Sequence, residues 1–487
     1  MRVLHAAAEL FPWVKTGGLG DVLAALPPAL RAAGVDARLV VPGYRPLLDN
    51  FRLTDVVRLQ TPFALERVRV VLAALPESGQ PVYLVDHAAA FDRPGGPYQG
   101  PDGNDWPDNH RRFALFAWVA AALAQGADPN WRPDILHGHD WHAGLAPAYL
   151  KGAGAAVPSV FTVHNLAYQG WFPGAMFGEL ALPPEFFAME GVEFFGGVSF
   201  MKAGLYYADR LTTVSPTYAR EIQTPAFGMN FDGLLRTRAD ALSGILNGVD
   251  PAIWSPDTDA ALPMRYSVDN AATGKAAAKA ALQRHLSLDQ RPDTPLFGVV
   301  TRLTWQKGMD LLRDAVPALV AQAGQLAMLG SGDADLEQAY ASLARMHPGR
   351  VGVLVGYDET LSHLIMAGSD VVVVPSRFEP CGLTQLYALS YGALPLVRRT
   401  GGLADTVVDA NSVTLADNTA TGFHFETESP AALTESIQGA LALYPERETW
   451  RRIMRRAMTR DFSWAAAARQ YATLYSELVA ETTQSLP

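Results

Sequence analysis

The stretch Val371-Val372-Val373-Val374-Pro375-Ser376-Arg377-Phe378-Glu379-Pro380-Cys381-Gly382-Leu383-Thr384-Gln385 decides the fold. Four valines in a row show no inside–outside alternation, so they read as a strand buried on both faces, as in a parallel sheet. Proline closes the strand, a polar loop follows, and a helix opens at Gly382–Thr384. Its free N–H groups could bind a phosphate at the strand's carboxyl end. Glu379 sits at the mouth of that loop, able to orient sugar hydroxyls. The plainer reading is that Glu379 complements the helix N-terminus and that Cys381 is a small buried hydrophobe.

The same strand–helix alternation runs outward in both directions. Strand candidates in the first half are Val3–Ala7, Ala37–Val41, Val68–Leu72, Val82–Val85, Ile135–His137, Ser159–Val163 and Arg210–Val214. In the second half they are Ser243–Leu246, Leu296–Thr301, Gln325–Leu329, Val351–Val355, Val371–Pro375 and Leu394–Val397. Helical patterns separate them, and Ser429–Val479 is helical almost throughout. This predicts an α/β chain of two doubly wound parallel-sheet domains, 1–245 and 246–460, with ligands at the carboxyl ends of the strands. The turn signals in Leu246-Asn247-Gly248-Val249-Asp250-Pro251 mark the hinge.

Composition narrows the function. The chain has 487 residues, 49% hydrophobic and 18% charged, which excludes intrinsic disorder. A net charge of −10 argues against general binding to nucleic acid or anionic membranes. The single cysteine, Cys381, excludes an intrachain disulfide and fits a reducing compartment. The apolar run from Phe113 to Ala124 is too short to span a bilayer and reads as a buried helix. The first residues lack the features of a signal peptide, so a cytoplasmic location is expected.

Only six of the 39 basic residues are lysine, at 15, 151, 202, 275, 279 and 307. A lysine in a glycine-bearing turn therefore stands out as a compact point charge. Lys15-Thr16-Gly17-Gly18-Leu19-Gly20-Asp21 is one such turn, where paired glycines before a helix let N–H groups converge on an anion. A tight turn with a solvated lysine is the alternative. Thr301-Arg302-Leu303-Thr304-Trp305-Gln306-Lys307-Gly308 is another, with two cations at a strand's end suited to a diphosphate; a helix-start loop with surface charges is the alternative. The first of these turns is echoed by Arg399-Thr400-Gly401-Gly402-Leu403-Ala404-Asp405, either as a quasi-equivalent loop or as a common strand-to-helix turn.

His137-Gly138-His139-Asp140-Trp141-His142 offers three imidazoles and a carboxylate, a candidate metal site. Its spacing is out of register with that of dinuclear hydrolases, and His142 is expected to start a helix rather than join the other two. His164, in Thr162-Val163-His164-Asn165, marks a neighbouring strand end; a hydrogen-bonded core histidine is the alternative there.

Together these segments resemble the bacterial glycogen synthases and plant starch synthases. The motifs are KTGGLGDV from 15, HGHDWHAGLAPAYL from 137, FTVHNLAYQG from 161, KAGLYYAD from 202, TTVSPTYAREI from 212, GILNGVD from 244, TRLTWQKG from 301, VPSRFEPCGLTQLYAL from 374, RRTGGLADTV from 398 and DFSW from 461. They occur in order and span nearly the whole chain. With no transit peptide ahead of the core, the chain looks bacterial.

The resemblance implies a GT-B fold, two Rossmann-like domains facing a cleft, with final helices at about 461–487 crossing back to the N-terminal domain. It implies transfer of glucose from ADP-glucose to the 4-OH at a non-reducing α-1,4-glucan end, with retention and without a metal or other cofactor. The expected partners are ADP-glucose and a glycogen-like acceptor. By the same resemblance, Lys15, Arg302 and Lys307 hold the diphosphate with the amides of Leu383 and Thr384. Gly18, Cys381 and Gly382 belong to the same donor-binding loops, and Tyr357 stacks near adenine. His164, Asp140, Asn247 and Glu379 line the glucose, and Asp21 lies near the sugar or acceptor.

Two positions depart from related retaining transferases: Tyr387 stands where a second glutamate is common, and Trp305 where a small residue is usual. Two other functions remain open at this point. One is a metal-dependent hydrolase built on His137–His142. The other is a non-catalytic glucan- or nucleotide-binding protein.

Overall fold

The computed structural model describes residues 1–63, 67–76 and 78–484. Residues 485–487 of the expected closing segment lie outside them. The chain forms two compact units. One is Met1–Gly248 together with the chain from Trp464 onward; the other is Val249–Ser463.

The first unit is built on a nine-stranded sheet. Its order is Leu242–Gly244, Arg210–Thr213, Ser159–Val163, Ile135–His139, Arg2–Ala6, Asp36–Pro42, Pro81–Asp86, Val68–Ala74 and Thr54–Leu59. The first seven run parallel, and the last two add an antiparallel edge. Strand order reverses between Ile135–His139 and Arg2–Ala6, so the crevice rule places a ligand beyond His139 and Ala6. The helix Asn109–Ala124 covers the sheet with most of its residues buried, as its apolar run requires. The helix Trp464–Gln484 packs on this unit, burying Tyr471 and Tyr475.

The second unit carries a fully parallel six-stranded sheet, in the order Val351–Val355, Gln325–Gly330, Leu296–Val300, Val371–Val374, Leu394–Arg398 and Phe423–Phe425. All four valines of 371–374 are buried, which is why they lack alternation. The reversal lies between Leu296–Val300 and Val371–Val374, so the loops following these two strands meet at the crevice.

Three differences from the sequence reading have local causes. The strand at 242–244, counted with the second half, joins the first unit's sheet through the register Leu211↔Leu242. The strand Thr54–Leu59 is a solvent-facing edge with an irregularity between Asp55 and Val57, so it carries no apolar run. The strands of the small sheet Trp171–Pro173, Gly197–Ser199 and Glu193–Phe194, like Phe423–Phe425, are too short for periodicity to mark.

Candidate active site

In the second unit the two loops at the strand reversal converge. Lys307 Nζ lies 2.7 Å from Glu379 Oε2, and Ser376 Oγ donates to the same oxygen at 2.8 Å. Both charged side chains are largely buried. Thr301, Lys307, Ser376, Glu379, Gly382, Leu383, Thr384 and Gln385 line a small cavity of about 50 Å³. A larger open cavity of about 410 Å³, lined by Asp409, Phe423, His424 and Ser436 among others, contains none of the predicted residues. Arg302 is exposed at the end of its strand. Tyr357 is 80% exposed beyond strand Val351–Val355, its hydroxyl donating to Glu359. Cys381 is buried.

The loop owes its shape to residues the sequence reading missed. Gln385 Nε2 donates to the carbonyls of Cys381 and Gly382, both at 3.0 Å. Arg377 forks onto Asp310 at 2.6 and 2.8 Å and pairs with Glu428 at 2.5 Å. Its guanidinium lies over the Trp305 ring at 4.5 Å. That contact accounts for the bulk at 305: the indole roofs the arginine that ties the two loops together.

The echo of the first glycine turn proves to be a packing device. A Cβ at Gly401 would come 2.0 Å from the Glu379 carbonyl oxygen, and one at Gly402 would come 2.1 Å from that of Cys381. Gly402 N–H also donates to the carbonyl of Glu379 at 3.1 Å. Only glycine lets this turn press against the backbone that presents Glu379. The Lys15 turn differs. Its helix begins at Gly18, and Gly17 faces open space. In the echo, the helix begins one position earlier in the motif, at Gly401.

In the first unit, Lys15 Nζ pairs with Asp21 at 2.8 Å, both partly exposed. The turn is held from behind by Glu9, whose carboxylate accepts the Thr16 N–H at 2.8 Å and hydroxyl at 2.5 Å, the Gly17 N–H at 3.3 Å and the Tyr98 hydroxyl at 2.7 Å. Glu9 is 3% exposed; a lone carboxylate after Ala6-Ala7-Ala8 was the available signal.

Beyond the strand Ile135–His139, Asp140 adopts φ 55°, a sparsely populated conformation for a residue with a side chain. This turns its carboxylate toward the next strand's end, where Oδ1 accepts the His164 N–H at 2.8 Å and the Asn165 N–H at 3.4 Å. Burial pushes the Asp140 carboxyl up to about 7 against those two N–H groups. Burial pushes His164 down to about 3, so its ring is neutral at physiological pH. Asn247 is 9% exposed on the segment after strand Leu242–Gly244. The predicted residues of this unit thus lie at carboxyl ends of its parallel strands, on the loops that follow, or, for Gly18, Asp21 and Asp140, in the first turn of the helix that comes next.

Two family models match the chain: the starch synthase catalytic domain over residues 2–237, and glycosyl transferases group 1 over 285–457. The glycogen synthase of Francisella tularensis subsp. novicida is 49% identical, covering 99% of this chain and all of that protein. That of Francisella philomiragia is 50% identical over 98% of this chain and all of its own length. The chain belongs to the glycogen and starch synthase family.

The catalytic domain of starch synthase IV from Arabidopsis thaliana, solved with ADP and acarbose, superposes with a TM-score of 0.88 at 32% identity, over 98% of this chain and 99% of that one. Sucrose-phosphate synthase from Thermosynechococcus elongatus shares the fold at TM-score 0.60 and 20% identity, over 99% of both chains. The fold is that of the GT-B glycosyltransferases. No described helix is long and apolar enough to cross a membrane.

The family relation lends nothing to a metallohydrolase, and neither does the histidine geometry. His142 lies in the short helix Asp140–Ala143 and stacks on Tyr98. Instead His5 joins His137 and His139, with ligand atoms within 4.8 Å of one another. Most of those ring nitrogens are already engaged. His137 bonds the Tyr475 hydroxyl and the Thr162 hydroxyl, each at 2.6 Å. His139 bonds His5 and His164, each at 3.0 Å. A bound ion would have to break these contacts.

Proposed function

We propose that this chain transfers glucose from ADP-glucose to the 4-OH at the non-reducing end of an α-1,4-glucan, with retention and without a metal. The observation that carries the proposal is the pairing of Lys307 with Glu379 at the strand reversal of the second unit, in a chain of this family. A cation, a carboxylate and the amides at the opening of the helix Thr384–Ser390, at one crevice, suit a sugar diphosphate.

In this reading Arg302, Lys307 and Lys15 neutralise the diphosphate, and the Leu383 and Thr384 amides add hydrogen bonds. Gly18, Cys381 and Gly382 shape the loops around it, and Tyr357 stacks near the adenine. Charge builds on the departing phosphate in the transition state, so these groups lower the barrier as well as bind. Glu379, His164, Asp140 and Asn247 hold the glucose hydroxyls and so orient the anomeric carbon. Asp21 stands by the sugar or acceptor. The anomeric carbon–phosphate bond breaks as the acceptor oxygen bonds to the same face, and the acceptor's proton passes to the departing phosphate. ADP and the glucan lengthened by one glucose are the products.

The test is incubation with ADP-glucose or UDP-glucose plus glycogen, with and without excess EDTA, scoring released nucleotide. ADP release that depends on glycogen and survives the chelator is expected, with new linkages of α-configuration by NMR. Abolition by EDTA with rescue by one metal would refute the metal-free reaction. Nucleotide release without glucan growth would refute the transferase.

A further inference from the structure

Three histidines of the first unit, His5 and His139 buried and His164 half-buried, form an ordered line whose far end the reaction above does not use. His5 lies on the central strand Arg2–Ala6, in register with His137 on the neighbouring strand. His5 Nδ1 contacts His139 Nε2 at 3.0 Å, and His139 Nδ1 contacts His164 Nε2 at 3.0 Å. His137 stacks beside them but turns both nitrogens to Tyr475 and Thr162, so it is not a link. Burial keeps all three linked rings neutral, with His5 and His164 down to about 3 and His139 well below its usual value.

A neutral imidazole has one donor nitrogen and one acceptor nitrogen. Two nitrogen–nitrogen contacts in series therefore allow only two coherent arrangements. In the first, His5 donates to His139, His139 donates to His164, and the His164 proton sits on Nδ1. In the second, every bond is reversed, and the last proton sits on His5 Nε2. That atom is buried and has no hydrogen-bond partner among the described residues. The second arrangement thus buries an orphan N–H, whereas the first leaves only an unused lone pair there. Orphan buried N–H groups are the rarer and costlier case.

We propose that His5 and His139 are positioning residues that fix the tautomer of His164, so that its Nδ1–H is presented as a donor to the reacting sugar. The proposal rests on the reading that His164 lines the glucose. It assigns work to a residue at the start of the chain that no motif marks.

Two measurements test it. In protein labelled with ¹⁵N-histidine, long-range proton–nitrogen spectra of His164 should show the proton on Nδ1. A proton on Nε2 would overturn the inference whatever the activity. The isosteric pair His5→Asn and His5→Asp, assayed at pH 8.5, separates tautomer control from packing. Asparagine can still donate to His139, so turnover should stay close to wild type. An ionised aspartate can only accept, which reverses the line. Its kcat should fall about a hundred-fold, the usual order for losing one transition-state donor, with little change in KM. Equal losses in both variants would point to packing and sink the proposal, as would stoichiometric zinc in the purified protein that His5→Asn removes. If His164→Ala leaves turnover unchanged, the reading of His164 fails instead, while the spectra still report the tautomer.

Discussion

Acid should unfold the first unit well before ordinary carboxylate chemistry would. His5, His137, His139, His142 and His164 are all held below their usual pKa, chiefly by burial. A depressed imidazole refuses protons when folded and accepts them near 6.5 when unfolded. Its stability is therefore full above about 6.5 and is lost as pH falls toward the folded value. Between pH 7 and pH 5 a ring held at about 3, as His5 and His164 are, costs about 2 kcal/mol, and His137, His139 and His142 act in the same direction.

Asp140 works the other way. Its carboxyl is raised to about 7, so the folded form takes a proton first as pH falls. That returns about 2 kcal/mol over the same interval. The two rings held at about 3 already outweigh that return, so the net change as pH falls is a loss of at least about 2 kcal/mol, a large share of a domain's whole stability. Urea unfolding followed by circular dichroism at pH 7 and pH 5 should show a large fall in the midpoint, and peptide-resolved hydrogen exchange should assign it to the strands around 135–163. Among the described residues His142 has no hydrogen-bond partner at either ring nitrogen. His142→Phe should therefore remove about one ring's share of the pH dependence while keeping the stack on Tyr98. A midpoint that does not move between pH 7 and pH 5 would refute the reasoning.

Three further outcomes follow from the site geometry. Lys15→Ala should raise the KM for ADP-glucose about ten- to a hundred-fold, the cost of one charge-assisted hydrogen bond. Its melting temperature should barely move, because the exposed pair with Asp21 contributes about 0–1 kcal/mol. Lys15→Arg should also bind poorly, and wild-type Michaelis constants in both variants would remove Lys15 from the donor site. Gly402→Ala should cut turnover sharply, since its Cβ cannot sit 2.1 Å from the Cys381 carbonyl oxygen and the Glu379 backbone must shift; unchanged kinetics would show that the loop tolerates the displacement. Trp305→Ala should lower the stability of the second unit by about 1 kcal/mol through the lost contact with Arg377, read as a small fall in melting temperature.

Local composition was enough to reveal the building plan. Four unalternating valines can only be comfortable between two covered faces, and repetition of such runs between amphipathic helices implies parallel sheets with ligands at strand ends. Lysines that break an arginine bias, set in glycine turns after strands, pointed to Lys15 and Lys307. These signals survive in sequence because strand burial, helix opening and turn geometry depend on neighbours a few residues away.

What the tertiary structure decided is the pairing of distant groups. Glu379 meets Lys307 across 72 residues, and His139 meets His5 across 134. Tyr475, from the closing helix, meets His137 across 338. Such contacts are set by the order and register of parallel strands, which long crossovers determine and local periodicity cannot encode. The glycine echo shows the same limit from the other side. Two nearly identical heptads have different tasks, because one lies in open space above a buried glutamate and the other is pressed against the loop that carries Glu379.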